Sequence, residues 1–184
     1  MNKIMTEEYF DIVDENNLPT DKTVLRSVAH AEGIWHRVVH IYFFRNNGNN
    51  LEFLVHLRSK LKDLNPNKWD TRFGGHLSAG QSVEDAVARE VKEEAGIEMN
   101  PEYLIKSFCD SYDGKTNREH IYVNYYNFTG DLSELSFDDG EVQEVKWISF
   151  DEIEKEMKKD PETWTGSING LNLIKKDLLS KIAQ

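Results

Sequence analysis

From Gly74 to Ile97 the chain reads GGHLSAGQSVEDAVAREVKEEAGI, and this stretch constrains the fold more than any other. A glycine pair and a short turn lead into a helix with both ends written in: Ser82 opens it, Glu84 and Asp85 occupy its first turn, and Gly96 stops it. On a wheel of about 100° per residue, Val83, Val87, Glu90 and Glu94 share one stripe, with Ala86 and Glu93 on its edge. Such a stripe ordinarily buries apolar side chains. The first two turns obey that rule and the last two put carboxylates there. Like charges so placed repel by a few kcal/mol per pair at an effective dielectric of about 20, and desolvation adds to the cost. A divalent cation removes it, and oxygen-only ligands select a hard ion, Mg²⁺ or Mn²⁺, over Zn²⁺. A solvated Glu-rich helix leaves unexplained why the acids continue the valine stripe.

These residues resemble the signature of the Nudix hydrolases: Gly, five residues, Glu, seven residues, then Arg-Glu-U-x-Glu-Glu-x-Gly-U, where U is a bulky aliphatic. Gly75, Arg89, Glu90, Val91, Glu93, Glu94, Gly96 and Ile97 match in register, and Gln81 stands where the family has its first Glu. The amide oxygen of Gln81 can still touch a cation or a bound water but brings no charge, which implies weaker or fewer metal ions.

With 184 residues the chain is long enough for one domain with a real core. Hydrophobic content of 39% and charged content of 30% read as globular. A formal charge of -11 argues against a sequence-independent nucleic-acid binder, which needs a basic face. Cys109 has no partner for an internal disulfide and fits a reducing cytoplasm. The start MNKIMTEEYFDIVDENN carries acid where a signal peptide would need an apolar core, and no 18-residue apolar run occurs, so no membrane-spanning segment is expected.

In order along the chain, Glu8 to Val13 reads as a short strand and Asp14 to Asn17 as a turn. Lys22 to Ala31 reads as a short helix closed near Gly33. Trp35 to Phe44 and Leu51 to Leu57 read as a hairpin or neighbouring strands across a polar turn. Ser59 to Trp69 is a polar connection. After the acidic helix, Tyr103 to Ser111, Ile121 to Phe128 and Glu144 to Ile148 read as strands, with a loop rich in acid, including DDGE, before the last. Asp151 is expected to cap a helix through Lys159. Ile168 to Ala183 reads as an amphipathic helix with Leu171, Leu173, Ile174, Leu178, Leu179 and Ile182 on its apolar face. Strands on either side of one central helix, with helices at the end, predict a mixed sheet between helical layers. The resemblance implies the same: an α/β Nudix-type α/β/α sandwich. The expected organisation is a single domain over 1–184, with 1–34 as an N-terminal extension packed on it, 74–97 as the signature and 168–183 as a C-terminal helix.

By position in the family, Glu90, Glu93 and Glu94 hold Mg²⁺ or Mn²⁺, and Arg89 fixes the orientation of a carboxylate. Glu93, Glu94, Arg89 and Glu141 are the expected catalytic set. Several Nudix enzymes take their base from a loop just before the strand that ends in a Trp, where Glu141 sits. Glu144 and Glu119 are its rivals, and a solvated loop acid is the plain alternative for Glu141. Among the cations near the signature, Arg58, Lys60, Lys62, Lys68 and Arg72 form a basic cluster in an acidic chain, favoured as the phosphate-holding side. Gly74 and Gly75 complete the expected substrate contacts.

Outside the signature the chain resembles the branch that includes type I isopentenyl-diphosphate isomerase. His30, His36 and His76 fall near that enzyme's three metal-binding histidines, Glu119 lies close to its acidic pair, and Arg58 and Lys62 match its diphosphate-holding pair. Each lone histidine has a plain reading as a satisfied core residue. Two departures weigh against isomerase chemistry: Gly74 occupies the position of the catalytic cysteine, and Glu90 and Glu93 restore carboxylates that the bacterial isomerase lacks. The expected activity is therefore metal-dependent hydrolysis of a diphosphate linkage in a small nucleoside- or isoprenoid-type diphosphate. An isomerase-like enzyme and a catalytically weak ligand-binding module are the alternatives. The expected partner is a small-molecule diphosphate, with no nucleic-acid polymer and no membrane; a homodimer is left open. Trp35, Trp69, Tyr112 and Trp164 could stack on a base, although core is the commoner place for a Trp.

Overall fold

The structure, a computed structural model, describes residues 7–48, 50–62, 64–137 and 140–183. The first six residues of the acidic start, and Asp138 and Asp139 of the DDGE run, lie outside the described residues.

The chain opens with an antiparallel pair, β1 (Tyr9–Val13) and β2 (Pro19–Leu25), followed by the short helix α1 (Arg26–Glu32). The helix expected from Lys22 therefore starts only at Arg26. Thr23 and Val24 are β-branched and find partners in Asp11 and Phe10, so the strand ladder takes them. Gly33, at φ 65°, closes α1 as anticipated.

The main sheet holds β3 (Trp35–Asn47), β4 (Asn50–Arg58), β5 (Trp69–Asp70), β6 (Leu104–Asp113), β7 (Arg118–Asn127) and β8 (Val142–Ser149). Its order is β5-β4-β3-β7-β6, with β8 paired to β4. The β3–β7 pair is parallel and the others antiparallel, so the sheet is mixed. Helix α2 (Val83–Ala95) covers one face, while α3 (Phe150–Lys159) and α4 (Ile168–Ile182) cover the other. Alternation along β3 explains the two cores: Val39, Ile41 and Phe43 pack towards α2, whereas Tyr42 and Phe44 pack towards α3 and α4.

One detail of the sheet places the site. β4 pairs with β3 only from Phe44 to Asn47. Beside the first half of β3 runs the segment 73–77 instead, held by Ile41 N donating to Phe73 O (2.8 Å), Val39 N to Gly75 O (2.8 Å) and Leu77 N to Arg37 O (2.9 Å). The glycine pair is thus fixed against a central strand at the point where α2 crosses it.

Two helical details differ from expectation. Ser149, not Asp151, caps α3: its Oγ accepts from Glu152 N (3.3 Å) and Glu152 Oε2 accepts from Ser149 N (3.2 Å), a reciprocal box that needs acceptors three residues apart. In α4 only Leu171, Ile174 and Leu178 are buried, and Leu173 and Leu179 face outward. The i, i+3, i+7 set satisfies the core and the extra leucines are surplus to it. Leu178→Ala should cost about 2–5 kcal/mol in a denaturant titration, whereas Leu179→Ala should cost under about 1 kcal/mol.

Candidate active site

Helix α2 carries the acids. Ser82 Oγ accepts from Asp85 N at 3.1 Å, Glu84 and Asp85 complement the N-terminal end of the dipole, and Gly96 at φ 71° ends the helix. Its buried side is Ala86, Val87, Glu90, Val91 and Ala95. Glu90 is only 7% exposed. Glu94 is partly buried and draws its carboxylate under the glycine turn, where Gly74 N donates to Oε2 at 2.7 Å. Glu93 differs from the other two, with a side chain that is 61% exposed at the edge of the cavity.

Arg89 ties the acids together. Its Nη1 lies 2.9 Å from Glu90 Oε1 and 3.1 Å from Glu93 Oε2, while Nη2 donates to the backbone oxygen of His76 at 2.7 Å. The glycines make room for this. A Cβ on Gly75 would stand 2.4 Å from Glu90 Oε1, and one on Gly74, where φ is +133°, would stand 2.1 Å from Val39 O. No side chain fits either place without moving the backbone or the carboxylate.

The acids line a cavity of about 720 Å³ together with Arg26, Lys62, Gly74, Gly75, His76, Ser78 and Glu141. Burial, reinforced by Glu93, pushes Glu90 up to about 7 despite Arg89; burial, reinforced by Glu90, pushes Glu94 up to about 8 despite the Gly74 amide. A buried oxygen set with this affinity for protons suits a hard divalent cation, which would take the place of those protons. Lys62 pairs with Glu141 at the cavity wall.

Other expected residues lie elsewhere. Arg58 is not among those lining the cavity: its Nη2 donates to Leu64 O at 3.1 Å and its Nη1 is 3.8 Å from Asp70 Oδ2. Arg72 is held by the same buried Asp70, and Lys68 pairs with Glu162. Of the basic cluster, Lys62 alone lines this cavity. Arg26 and Glu8, paired at 2.9 Å, reach it from the N-terminal hairpin, and no sequence pattern tied them to the signature. Gln81 Oε1 accepts from Ser78 N at 3.1 Å, so its amide oxygen braces the turn instead of facing the acids.

A second cluster adjoins the first. His30 Nε2 lies 3.3 Å from His36 Nε2 and 3.1 Å from His76 Nε2, and Glu119 Oε1 is 3.8 and 3.9 Å from the His36 and His76 nitrogens. One donor atom from each of the four falls within 4.8 Å of the others. Burial lowers all three histidines, His76 to about 2, so the rings are neutral. His36 Nδ1 sits 2.8 Å from Ile34 O, and donation there leaves its Nε2 lone pair free to ligate. Nitrogens about 2.1 Å from a common ion are separated by roughly 3.0–3.4 Å, and the observed spacings agree. Three imidazoles and one carboxylate suit Mn²⁺ or Zn²⁺ better than Mg²⁺, a donor set different from the oxygen-only one on α2. Phe10, fully buried, stacks on His36 and His76 at 4.9 and 4.7 Å between centroids.

The mixed sheet between helices and the acidic helix held against a glycine turn define an α/β fold that presents carboxylates to a cavity. More particularly, the chain belongs to the Nudix hydrolase family, whose NUDIX domain model matches residues 34–165. It is 30% identical over 164 residues to an isopentenyl-diphosphate Delta-isomerase of Aliivibrio fischeri, covering 86% of this chain and 89% of that one. It is 31% identical to Nudix hydrolase 3 of Arabidopsis thaliana over 90% of its own length, but spans only 22% of that larger protein. A crystal structure from Deinococcus radiodurans shares the fold, with a TM-score of 0.69 at 21% identity over 92% of this chain and 99% of that one. Nudix enzymes generally use divalent metal ions. Among the described residues no helix is long and apolar enough to cross a membrane.

The raised carboxylates set a pH dependence with a definite sign. Against an ordinary value of 4.5 in the unfolded chain, their contribution to stability is complete below that pH and is lost as pH rises through about 7 and 8. In melting curves Mn²⁺ should therefore raise the Tm of the wild type more at about pH 8 than at about pH 6, and Glu94→Gln should reduce that difference.

Proposed function

We propose that this protein is a divalent-metal-dependent hydrolase that cleaves a diphosphate linkage in a small nucleoside- or isoprenoid-type diphosphate by attack of water. The observation that carries this reading is the pair of inward carboxylates, Glu90 and Glu94, sharing a cavity with the cations Arg26, Lys62 and Arg89. Mg²⁺ or Mn²⁺, held by Glu90, Glu94 and the more exposed Glu93, supplies the charge that offsets the phosphate oxygens during displacement. Arg89 orients Glu90 and Glu93 through the contacts described above. Glu141 serves as the base that takes a proton from the attacking water, and Lys62 beside it orients that carboxylate and faces the phosphates. Gly74 and Gly75 keep that wall of the cavity free of side chains. The histidine centre with Glu119 takes a second ion, Mn²⁺ or Zn²⁺. Because Phe10 and His30 come from before residue 34, the working unit includes the N-terminal hairpin as well as the family domain. The charge of -11 speaks against a nucleic-acid polymer as substrate.

The histidine centre supports a second reading, an enzyme like the related isomerase. Gly74 tells against it. The thiol required at this position would hang from a Cβ only 2.1 Å from Val39 O. Gly74→Cys should therefore lower Tm and yield no allylic isomer from isopentenyl diphosphate, as read by product chromatography.

A panel of nucleoside and prenyl diphosphates with phosphate detection tests the hydrolytic reading. Turnover should require Mg²⁺ or Mn²⁺, fall at least ~100-fold in Glu90→Gln and Glu94→Gln, and fall ~100-fold or more in Glu141→Gln. Hydrolysis that persists through all three changes would refute it.

A further inference from the structure

The ion pair at the cavity wall joins two segments that the core hardly holds. Lys62 rides on the connection between β4 and β5, where Lys60, Leu61, Leu64, Asn65, Pro66 and Asn67 are exposed, Leu61 to 81% and Leu64 to 74%. Glu141 lies just before β8. A long lysine stem has no fixed place on such a loop, and ordering it costs entropy that a partly exposed ion pair scarcely returns. Hydrogen bonds at the neck of the loop have to supply the order.

Backbone groups close the neck first. Arg58 N donates to Lys68 O (3.0 Å) and Asn67 N to Arg58 O (3.2 Å). Ser59 N then donates to Glu141 O (2.7 Å) and Lys62 N to Ser59 O (3.2 Å), so both members of the ion pair have Ser59 as a backbone partner. Gln143 completes the neck. Its Nε2 donates to Arg58 O at 2.7 Å and to Asn67 Oδ1 at 2.9 Å, which spends both amide hydrogens on the two ends of the loop. A backbone oxygen can only accept, so the nitrogen of the amide is the atom that faces it. Gln143 is also where the β4–β8 ladder slips: Leu57 pairs with Glu144 and Arg58 with Val142, which leaves Gln143 as the extra residue of a bulge. Bulges re-aim the end of a strand, and beyond this one the chain runs on to Glu141, whose carbonyl meets the Ser59 amide. Water would satisfy an exposed glutamine, and the ladder needs no bulge for its own sake. Both serve one spacing, that between the loop and the start of β8.

We propose that Gln143 is a positioning residue for the hydrolytic step: through the loop 59–67 it sets where the Lys62 ammonium meets the Glu141 carboxylate. The inference rests on the reading of Glu141 as the proton acceptor. Gln143 is not among the residues lining the cavity, so it acts through the loop alone.

Gln143→Glu is the probe, because it keeps size and exposure but sets oxygens against two acceptors. In hydrogen exchange of the full chain without substrate, peptides covering 59–67 should exchange at least ~10-fold faster than in the wild type, while α2 is unchanged and Tm moves by under about 2 °C. With a diphosphate that the wild type hydrolyses, kcat should fall at least ~10-fold. That loss should vanish in a Lys62→Ala background, since nothing is left to position once the ammonium is gone, whereas general damage would add to it. Gln143→Ala removes the donors without the repulsion and should give the same pattern at smaller size. Unchanged exchange over 59–67, full kcat in Gln143→Glu, or losses that add in the double variant would each overturn the proposal. A wild type that hydrolyses no diphosphate refutes the hydrolytic reading; faster exchange over 59–67 would then still support the clamp, and unchanged exchange would overturn that as well.

Discussion

Two carboxylates on one helix face, Glu90 and Glu94, are taken out of water on the stripe that elsewhere in α2 buries valine and alanine. Nothing in packing favours this arrangement, and the like charges add to the effect of burial: Glu90 raises the proton affinity of Glu94, and Glu93 that of Glu90. The surrounding structure is organised to hold it in place. Gly75 is a glycine because Glu90 occupies the space of its Cβ, Gly74 donates its amide to Glu94, and Arg89 spans from the acids to the backbone of His76. A cation is the partner that makes such a constellation favourable, and the family to which the chain belongs works with divalent ions.

The path of β3 carries the arrangement further. Because β4 leaves β3 early, the 73–77 segment can lie along the vacated edge, and one residue of it, His76, serves both clusters. Its backbone oxygen anchors Arg89 while its ring joins His30, His36 and Glu119. An oxygen-rich set and a nitrogen-rich set thus sit side by side, with chemistries that select different ions.

How much of this was legible in the sequence depends on the range of the signal. The ends of α2, the mixed sheet and its flanking helices follow from local pattern, since caps and periodicity act within a few residues. The histidine centre was visible only through resemblance, because its ligands come from α1, β3, the 73–77 segment and β7, which no spacing rule connects. Arg58 shows the limit of reading charge by proximity: it lies near the signature in sequence, yet buried Asp70 and the carbonyl of Leu64 take it. Phe10 and Arg26 were not legible at all, since their roles arise when the N-terminal hairpin folds over the site. The cap of α3 is legible in the pattern Ser-x-x-Glu, Ser149 to Glu152, which outranks the nearby carboxylate of Asp151 because only residues three apart can exchange side-chain and backbone hydrogen bonds.

The most direct measurement is anomalous diffraction from crystals of the protein grown with Mn²⁺. The account predicts a manganese peak coordinated by carboxylate oxygens of Glu90 and Glu94, with Arg89 still bound to the oxygen of His76. Saturating Mn²⁺ that leaves those two carboxylates without an ion, in well-ordered density, would contradict it.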